Sequence, residues 1–310
     1  MAFAVVFPGQ GSQSVGMLGG LSQSEPIVQE TFAEASKVLG YDLWKLAQEG
    51  PEAEQAPTER QQPLMLAAGV ATWRVWRKHG GGLPACMSGH SLGEYSALVA
   101  ADSLPFAAAI DLVRFRGQAM QSAVPAGQGA MAAILGLEDA EVEAACTEAS
   151  AAGIVEAANY NSPAQVVIAG QKAAVDKAIE IVKAKGAKRA LVLAVSVPSH
   201  TSLMKPAATQ LADRLRGIDI HRPSVPIYTV QARTHGDADS IRAALVEQLI
   251  KPVRWTDTVR ALLSSGATAI VECGPGKVLT GLNRRIERNK EIAMMNIEDA
   301  ASLQEALRLS

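Results

Sequence analysis

The sequence predicts an α/β protein: a large α/β domain with a mostly parallel sheet, interrupted by a small inserted domain. Three observations carry this. Short apolar runs alternate with helical patterns through the first half of the chain. From about residue 130 the order changes to β-α-β-β-α-β, and beyond residue 200 the first rhythm resumes. The two outer segments are therefore expected to share one sheet.

Element by element, the first half reads as strand 3–7, helices within 25–49 and 60–79, strand 84–88, and helices near 92–101 and 105–122. The middle reads as strand 130–135, helix 138–149, strands 154–159 and 164–169, helix 171–185 and strand 189–195. This is the split βαβ, ferredoxin-like order, bounded by Pro125-Ala126-Gly127 and Pro198. Residues 126–198 are thus expected to form the small domain, and 1–125 with 199–310 the large one. The remainder reads as helix 201–216, strand 225–229, helices 238–250 and 255–265, strand 267–272 and helix 276–287.

Composition narrows the function. Of 310 residues, 48% are apolar and 19% charged, enough for a sizeable core and unlike a disordered chain. A net charge of −2 with both signs interspersed argues against nucleic acid and membrane surfaces as partners. The opening run breaks at Pro8 and reads as a first strand, not a signal peptide, and no apolar stretch approaches the roughly 20 residues of a membrane span. Three widely spaced cysteines, an odd number, fit a reduced cytoplasm. No His, Cys and carboxylate cluster has metal-ligand spacing, and Gly274-Pro275-Gly276-Lys277 lacks the spacing and Ser/Thr of a Walker loop. Neither metal nor cofactor is expected, and the loop reads as a strand–helix turn.

Gly89-His90-Ser91-Leu92-Gly93 follows an apolar strand and opens a helical pattern, the context of a nucleophile elbow and of an α/β-hydrolase-like large domain. Composition alone would produce about 0.1 such Gly-x-Ser-x-Gly matches in a chain of this length, so the setting carries more weight than the pattern. The two glycines let strand and helix backbones approach while the serine is lifted outward; the plain alternative is a tight turn with a capping serine. The Leu92 amide, at the helix start, is a natural oxyanion donor. The Gln10 amide, in the glycine-rich loop after the first strand, is a candidate for the second, although that loop also reads as an ordinary turn.

A serine needs a base, and the chain has five histidines. His90 adjoins the serine and should point away from it; His79 sits at a helix end; His221 and His235 lie in segments that read as exposed and solvated. His200, at the start of a helix whose dipole favours neutral imidazole, is the remaining candidate, or else a polar residue opening that helix. No aspartate is an evident third member. Arg116 has apolar helical neighbours Leu112, Val113, Ala119 and Met120, so its guanidinium needs a buried anion. A substrate carboxylate fits, as does a structural ion pair or a snorkelling stem.

Phe7-Pro8-Gly9-Gln10-Gly11-Ser12-Gln13, Gly89-His90-Ser91-Leu92-Gly93-Glu94-Tyr95, Arg116-Gly117 and Val197-Pro198-Ser199-His200 together make the chain resemble the bacterial malonyl-CoA:acyl-carrier-protein transacylases. The resemblance runs almost end to end, through Asn159-Tyr160-Asn161-Ser162-Pro163, Gln165 to Gly170, and Glu272 to Leu279. It implies ping-pong malonyl transfer in fatty acid synthesis, with malonyl-CoA as substrate, acyl carrier protein as partner, and a monomer. Carried over to this chain, it implies Ser91 as nucleophile, His200 as base, Arg116 on the malonyl carboxylate, and the Gln10 and Leu92 amides as oxyanion hole. It also implies the backbone carbonyl of Gln248 as the group orienting the histidine. The chain departs from the family at Thr229-Val230-Gln231-Ala232, where Asn-Val is commoner, whereas Ser199 precedes His200 as in stand-alone fatty-acid enzymes, a position where malonyl-selecting polyketide domains usually carry Phe. The basic set Lys183, Lys185, Lys188, Arg189, Arg284 and Arg285 is a candidate landing surface for an acidic carrier, or simply a solvated face. A thioesterase and a non-catalytic carrier-binding module are the competing readings.

Overall fold

The computed structural model describes residues 2–195 and 197–309. It contains an α/β fold with two separate sheets. Strands β1 (Phe3–Phe7) and β2 (Cys86–Gly89) belong to the first; β3 (Gly129–Leu135), β4 (Val155–Ser162), β5 (Gln165–Gln171) and β6 (Arg189–Val192) form the second; β7 (Ile227–Tyr228), β8 (Ala269–Cys273) and β9 (Ala293–Ile297) complete the first. The five-stranded sheet has the order β7-β2-β1-β8-β9, with every pair parallel. Its three central strands, β2, β1 and β8, are wholly buried, as expected of a parallel sheet covered by helices on both faces.

Register positions the site. Phe7 faces Gly89 across the β1–β2 pair, so both strands end at the same level and their following loops lie side by side. One loop carries Gln10 and the other Ser91. Beneath them the buried helix Thr58–Lys78 packs along Phe106–Ser122, which carries Arg116.

The four-stranded antiparallel sheet has the order β4-β5-β3-β6 and comes entirely from residues 129–192. Helices Asp139–Ala149 and Lys172–Ala184 bury one of its faces. The other gathers Met131, Val167, Leu193 and Val195, and all four line a cavity shared with the first sheet's loops. Backbone bonds from Tyr160 to Val253 and from Val253 to Ala158, each 2.8 Å, tie β4 to the segment entering the helix Trp255–Ser264.

The expected elements are present, and the short helices Gly19–Ser24 and Glu52–Gln55 are additional; other differences have local causes. The strand expected over 189–195 stops at Val192; the Leu193 amide makes one last bond to the Met131 carbonyl at 2.9 Å, and Leu193 to Val195 then wall the cavity. The helix expected over 201–216 begins as a 3₁₀ turn, Ser202–Met204, and becomes α-helical only at Lys205–Leu215. Pro206, which has no N–H to donate, sits in that first turn. The strand expected over 225–229 shortens to Ile227–Tyr228. Finally, β9 and the helix Ala300–Leu307 extend the molecule past the last expected element, with Asp299 capping the helix through the Ser302 amide at 2.8 Å. At the Thr229 departure, the hydroxyl accepts the amides of Gln231 at 3.1 Å and Arg233 at 3.3 Å, so it closes the turn itself.

Candidate active site

Ser91 tops a turn that only two glycines can make. A Cβ at Gly89 would lie 1.9 Å from the Gly93 carbonyl carbon, and one at Gly93 would lie 2.0 Å from the Phe7 carbonyl oxygen. Between them Ser91 has a positive φ of 51°, a left-handed conformation that costs a non-glycine residue about 1–2 kcal/mol. Surrounding packing holds that strain, and the hydroxyl points toward the second group of the site.

That group is His200, 109 residues away in the chain, whose Nε2 lies 2.8 Å from Ser91 Oγ. Its Nδ1 lies 2.7 Å from the backbone carbonyl of Gln248. A carbonyl only accepts, so Nδ1 carries the proton and Nε2 presents a lone pair to the serine. The imidazole is 3% exposed, and burial first, then the Arg116 cation, push its pKa down to about 3. The expected helix dipole is not the cause: the α-helix starts five residues later, and His200 itself sits in a left-handed turn with φ 64°. Burial and a neighbouring guanidinium do what the dipole was expected to do.

Arg116 is fully buried behind the serine. Its Nη2 donates to Gln248 Oε1 at 2.8 Å and reaches Ser91 Oγ at 3.3 Å, and its guanidinium lies 5.5 Å from the centre of the Tyr95 ring. Nε and Nη1 are buried and have no partner among the described residues. A buried cation with unpartnered donors is costly, and the carboxylate of an acyl group seated on Ser91 would offer them an acceptor and a countercharge.

The glycine loop is fixed from below. The Gln10 side chain donates to Gln61 and accepts from Gln62 Nε2 at 3.3 Å. Among the described residues, the backbone amides of Gln10 and Leu92 donate to no other group of the chain. The cavity above has a volume of about 510 Å³ and is walled by Gln10, Ser91 and His200 on one side and Asn159, Asn161 and Leu193 on the other.

The other histidines are placed as follows. His90 turns from the serine to Asn161 Oδ1 at 2.9 Å and packs on Trp255, burial lowering its pKa. His79 ends its helix beside Glu25 at 2.6 Å, and His221 is exposed beside Asp219. His235 corrects the expectation of a solvated residue: its side chain is 0% exposed and lies 2.8 Å from Glu94 Oε1. The local Thr-His-Gly-Asp composition reads as a turn, but the group that covers it comes from 141 residues earlier.

Two further side chains join the site. Glu94, on the helix just after the serine, accepts from Gln248 Nε2 at 2.8 Å, and that same Nε2 donates to the Ser91 carbonyl at 3.1 Å. The readable signal for Glu94 is a lone carboxylate in the otherwise apolar, buried helix Gly93–Ala100. The Gln248 side chain had no signal of its own.

Known proteins resemble the chain along nearly its whole length. Residues 4–303 match the acyl transferase domain family. The malonyl CoA-acyl carrier protein transacylase of Escherichia coli O157:H7 is 57% identical over 287 residues, 92% of each chain. A solved malonyl-transacylase in complex with its type II PKS acyl-carrier protein superposes with a TM-score of 0.97 at 53% identity, covering 100% of both chains. An acyl carrier protein S-malonyltransferase from Vibrio cholerae does so at 0.94 and 52%, covering 98% of this chain and 99% of that one. With relatives so similar along nearly its whole length, the chain belongs to the malonyl CoA-acyl carrier protein transacylase family of acyl transferases.

Proposed function

We propose that this chain moves a malonyl group from malonyl-CoA to the phosphopantetheine thiol of acyl carrier protein, through a malonyl-Ser91 ester, supplying fatty acid synthesis. The observation that carries this reading is the buried Arg116 with two idle donors, 3.3 Å from a serine that is paired with a neutral imidazole.

In the first half-reaction His200 Nε2 takes the Ser91 proton as Oγ attacks the thioester carbonyl. The Gln10 and Leu92 amides receive the developing oxyanion. On collapse the C–S bond breaks, and the imidazolium returns its proton to the CoA thiolate. In the second, the carrier thiol gives its proton to His200 and attacks the ester, and Ser91 leaves as the hydroxyl. The Gln248 carbonyl steadies the imidazolium in both. Arg116 grips the malonyl carboxylate, so a diacid is held where a monoacid is not. Beyond the two substrates, the malonyl thioester and the carrier thiol, these residues need no cofactor.

We read the large part, 1–125 with 199–310, as α/β-hydrolase-like and 126–198 as a ferredoxin-like insertion, since four antiparallel strands ordered β4-β5-β3-β6 carry two helices on one face. A monomer working in the cytoplasm is the expected state. Among the described residues no helix is long and apolar enough to cross a membrane.

Intact mass after mixing with malonyl-CoA tests the reading. A stable malonyl adduct that disappears in Ser91→Ala is expected; free malonate without an adduct would mean hydrolysis, and no change at all would mean binding only. Arg116→Ala should lose about a hundredfold in kcat/KM on malonyl-CoA while acetyl-CoA is spared. Equal loss on both would remove Arg116 from the carboxylate site.

A further inference from the structure

The transfer chemistry leaves a buried acid and a buried imidazole unused. Glu94 and His235 have side chains 1% and 0% exposed, directly behind the nucleophile. Burying such a pair is expensive, so the contacts around it are informative.

Glu94 Oε1 accepts His235 Nε2 at 2.8 Å, and Oε2 accepts Gln248 Nε2 at 2.8 Å and the Val230 amide at 3.3 Å. His235 Nδ1 is buried without a partner among the described residues, and Nε2 aims its N–H at the carboxylate. The link onward is the amide of Gln248. An amide has two ends of similar shape, and what faces them decides which way it points. Here the nitrogen end faces two acceptors, Glu94 Oε2 and the Ser91 carbonyl. The oxygen end consequently faces Arg116 Nη2 at 2.8 Å. Nη2 is thereby held between Gln248 Oε1 and, at 3.3 Å, Ser91 Oγ, while Nη1 and Nε have no partner among the described residues.

We propose that Glu94 and His235 are positioning residues: the pair fixes the orientation of the Gln248 amide, which holds the Arg116 guanidinium beside Ser91 and so sets the preference for a diacid over a monoacid. This rests on the malonyl-transfer reading above. If Glu94 loses its charge, nothing compels the Gln248 nitrogen to turn toward it. A flipped amide would present N–H to N–H at Arg116, and the guanidinium would be displaced. Acetyl transfer needs the Ser91 hydroxyl, His200 Nε2 and the Gln248 backbone carbonyl, and its acyl group carries no carboxylate for Arg116 to hold.

The test compares kcat/KM on malonyl-CoA and acetyl-CoA for the wild type, Glu94→Gln, His235→Leu and His235→Gln, with thermal unfolding to verify folding. Glu94→Gln should lower the malonyl-to-acetyl ratio about tenfold or more, the loss falling on malonyl-CoA. His235→Leu, which removes one donor to the carboxylate, should lower it less, by about threefold. His235→Gln restores a donor at similar reach and should keep the ratio within about twofold of wild type. An unchanged ratio in folded Glu94→Gln, or equal loss on both thioesters, overturns the proposal. If Glu94→Gln does not fold, the decision passes to the two His235 variants: identical ratios in both overturn it, and a drop in Leu rescued in Gln supports it. A wild type without preference for malonyl-CoA would instead sink the malonyl-transfer reading, and this inference with it.

Discussion

At the level of single residues, burial does the tuning. The imidazole of His200, pushed down to about 3, remains a base at acidities where a solvent-exposed histidine is already charged. The acid limb of kcat/KM on malonyl-CoA should therefore lie well below pH 6.5; a limb near that value would mean that His200 is not desolvated in the working protein. Stability follows the same linkage. Between about pH 6.5 and 3 the unfolded chain takes up a proton that the folded chain refuses, so this residue's contribution falls as pH falls through that window. His200→Gln should remove that part, and its Tm should decline less steeply than wild type from pH 6.5 to about 4. Parallel curves would count against it. Ser91, Arg116 and His200 were legible because each is an odd choice for its surroundings: a serine between obligatory glycines, a guanidinium on an apolar helix face, a histidine left by elimination. His235 was not, since its four-residue neighbourhood describes a turn, and only the fold brings Glu94 over it.

At the level of elements, the elbow is a close contact between three backbones. Gly93 lies against the β1 carbonyl of Phe7, and Gly89 against Gly93 itself, so a methyl group at either position must push strand and helix apart. Gly93→Ala should cost more than about 2 kcal/mol of stability and abolish acyl-enzyme formation. Urea unfolding together with intact mass would check both; an active, fully stable variant would show that the elbow has slack. The alternation of strands and helices was readable because parallel strands are continuous apolar runs and the helices have long apolar faces. β9 was harder to see: Ala-Met-Met-Asn-Ile contains one β-branched residue, and its strand character comes from pairing with β8. The end of β6 was missed for the opposite reason. Leu193 to Val195 have strand-like composition but line a cavity, and past the Leu193 amide's bond to Met131 they have no ladder to continue.

For the molecule as a whole, the cavity lies where two sheets meet, and each contributes one wall. A carrier protein must bring its thiol to that opening. On the small sheet Lys188 and Arg189 are exposed at the edge strand, beside Leu191 and Val192, which are 51% and 64% exposed. Part of the remaining basic set is already engaged: Lys185 with Glu148, Arg284 with the Met294 carbonyl, and Arg285 with Gln165. The double variant Lys188→Glu, Arg189→Glu should slow transfer to an acidic carrier about tenfold and leave acylation by malonyl-CoA unchanged, and the wild-type carrier rate should fall with added salt. A salt-independent carrier rate would exclude this surface.

The strand order has one more consequence. β1 sits between β2 and β8, so Ala4 faces Cys86 on one side and Ile270 on the other. During translation the small sheet, drawn from residues 129–192 alone, is complete while β1 still waits for its second neighbour. At about 5–20 residues per second that wait lasts on the order of ten seconds or more, with a fully apolar strand covered on one edge only. The nascent chain thus finishes its accessory lobe first, and its serine gains a working frame only when residues near 270 leave the ribosome.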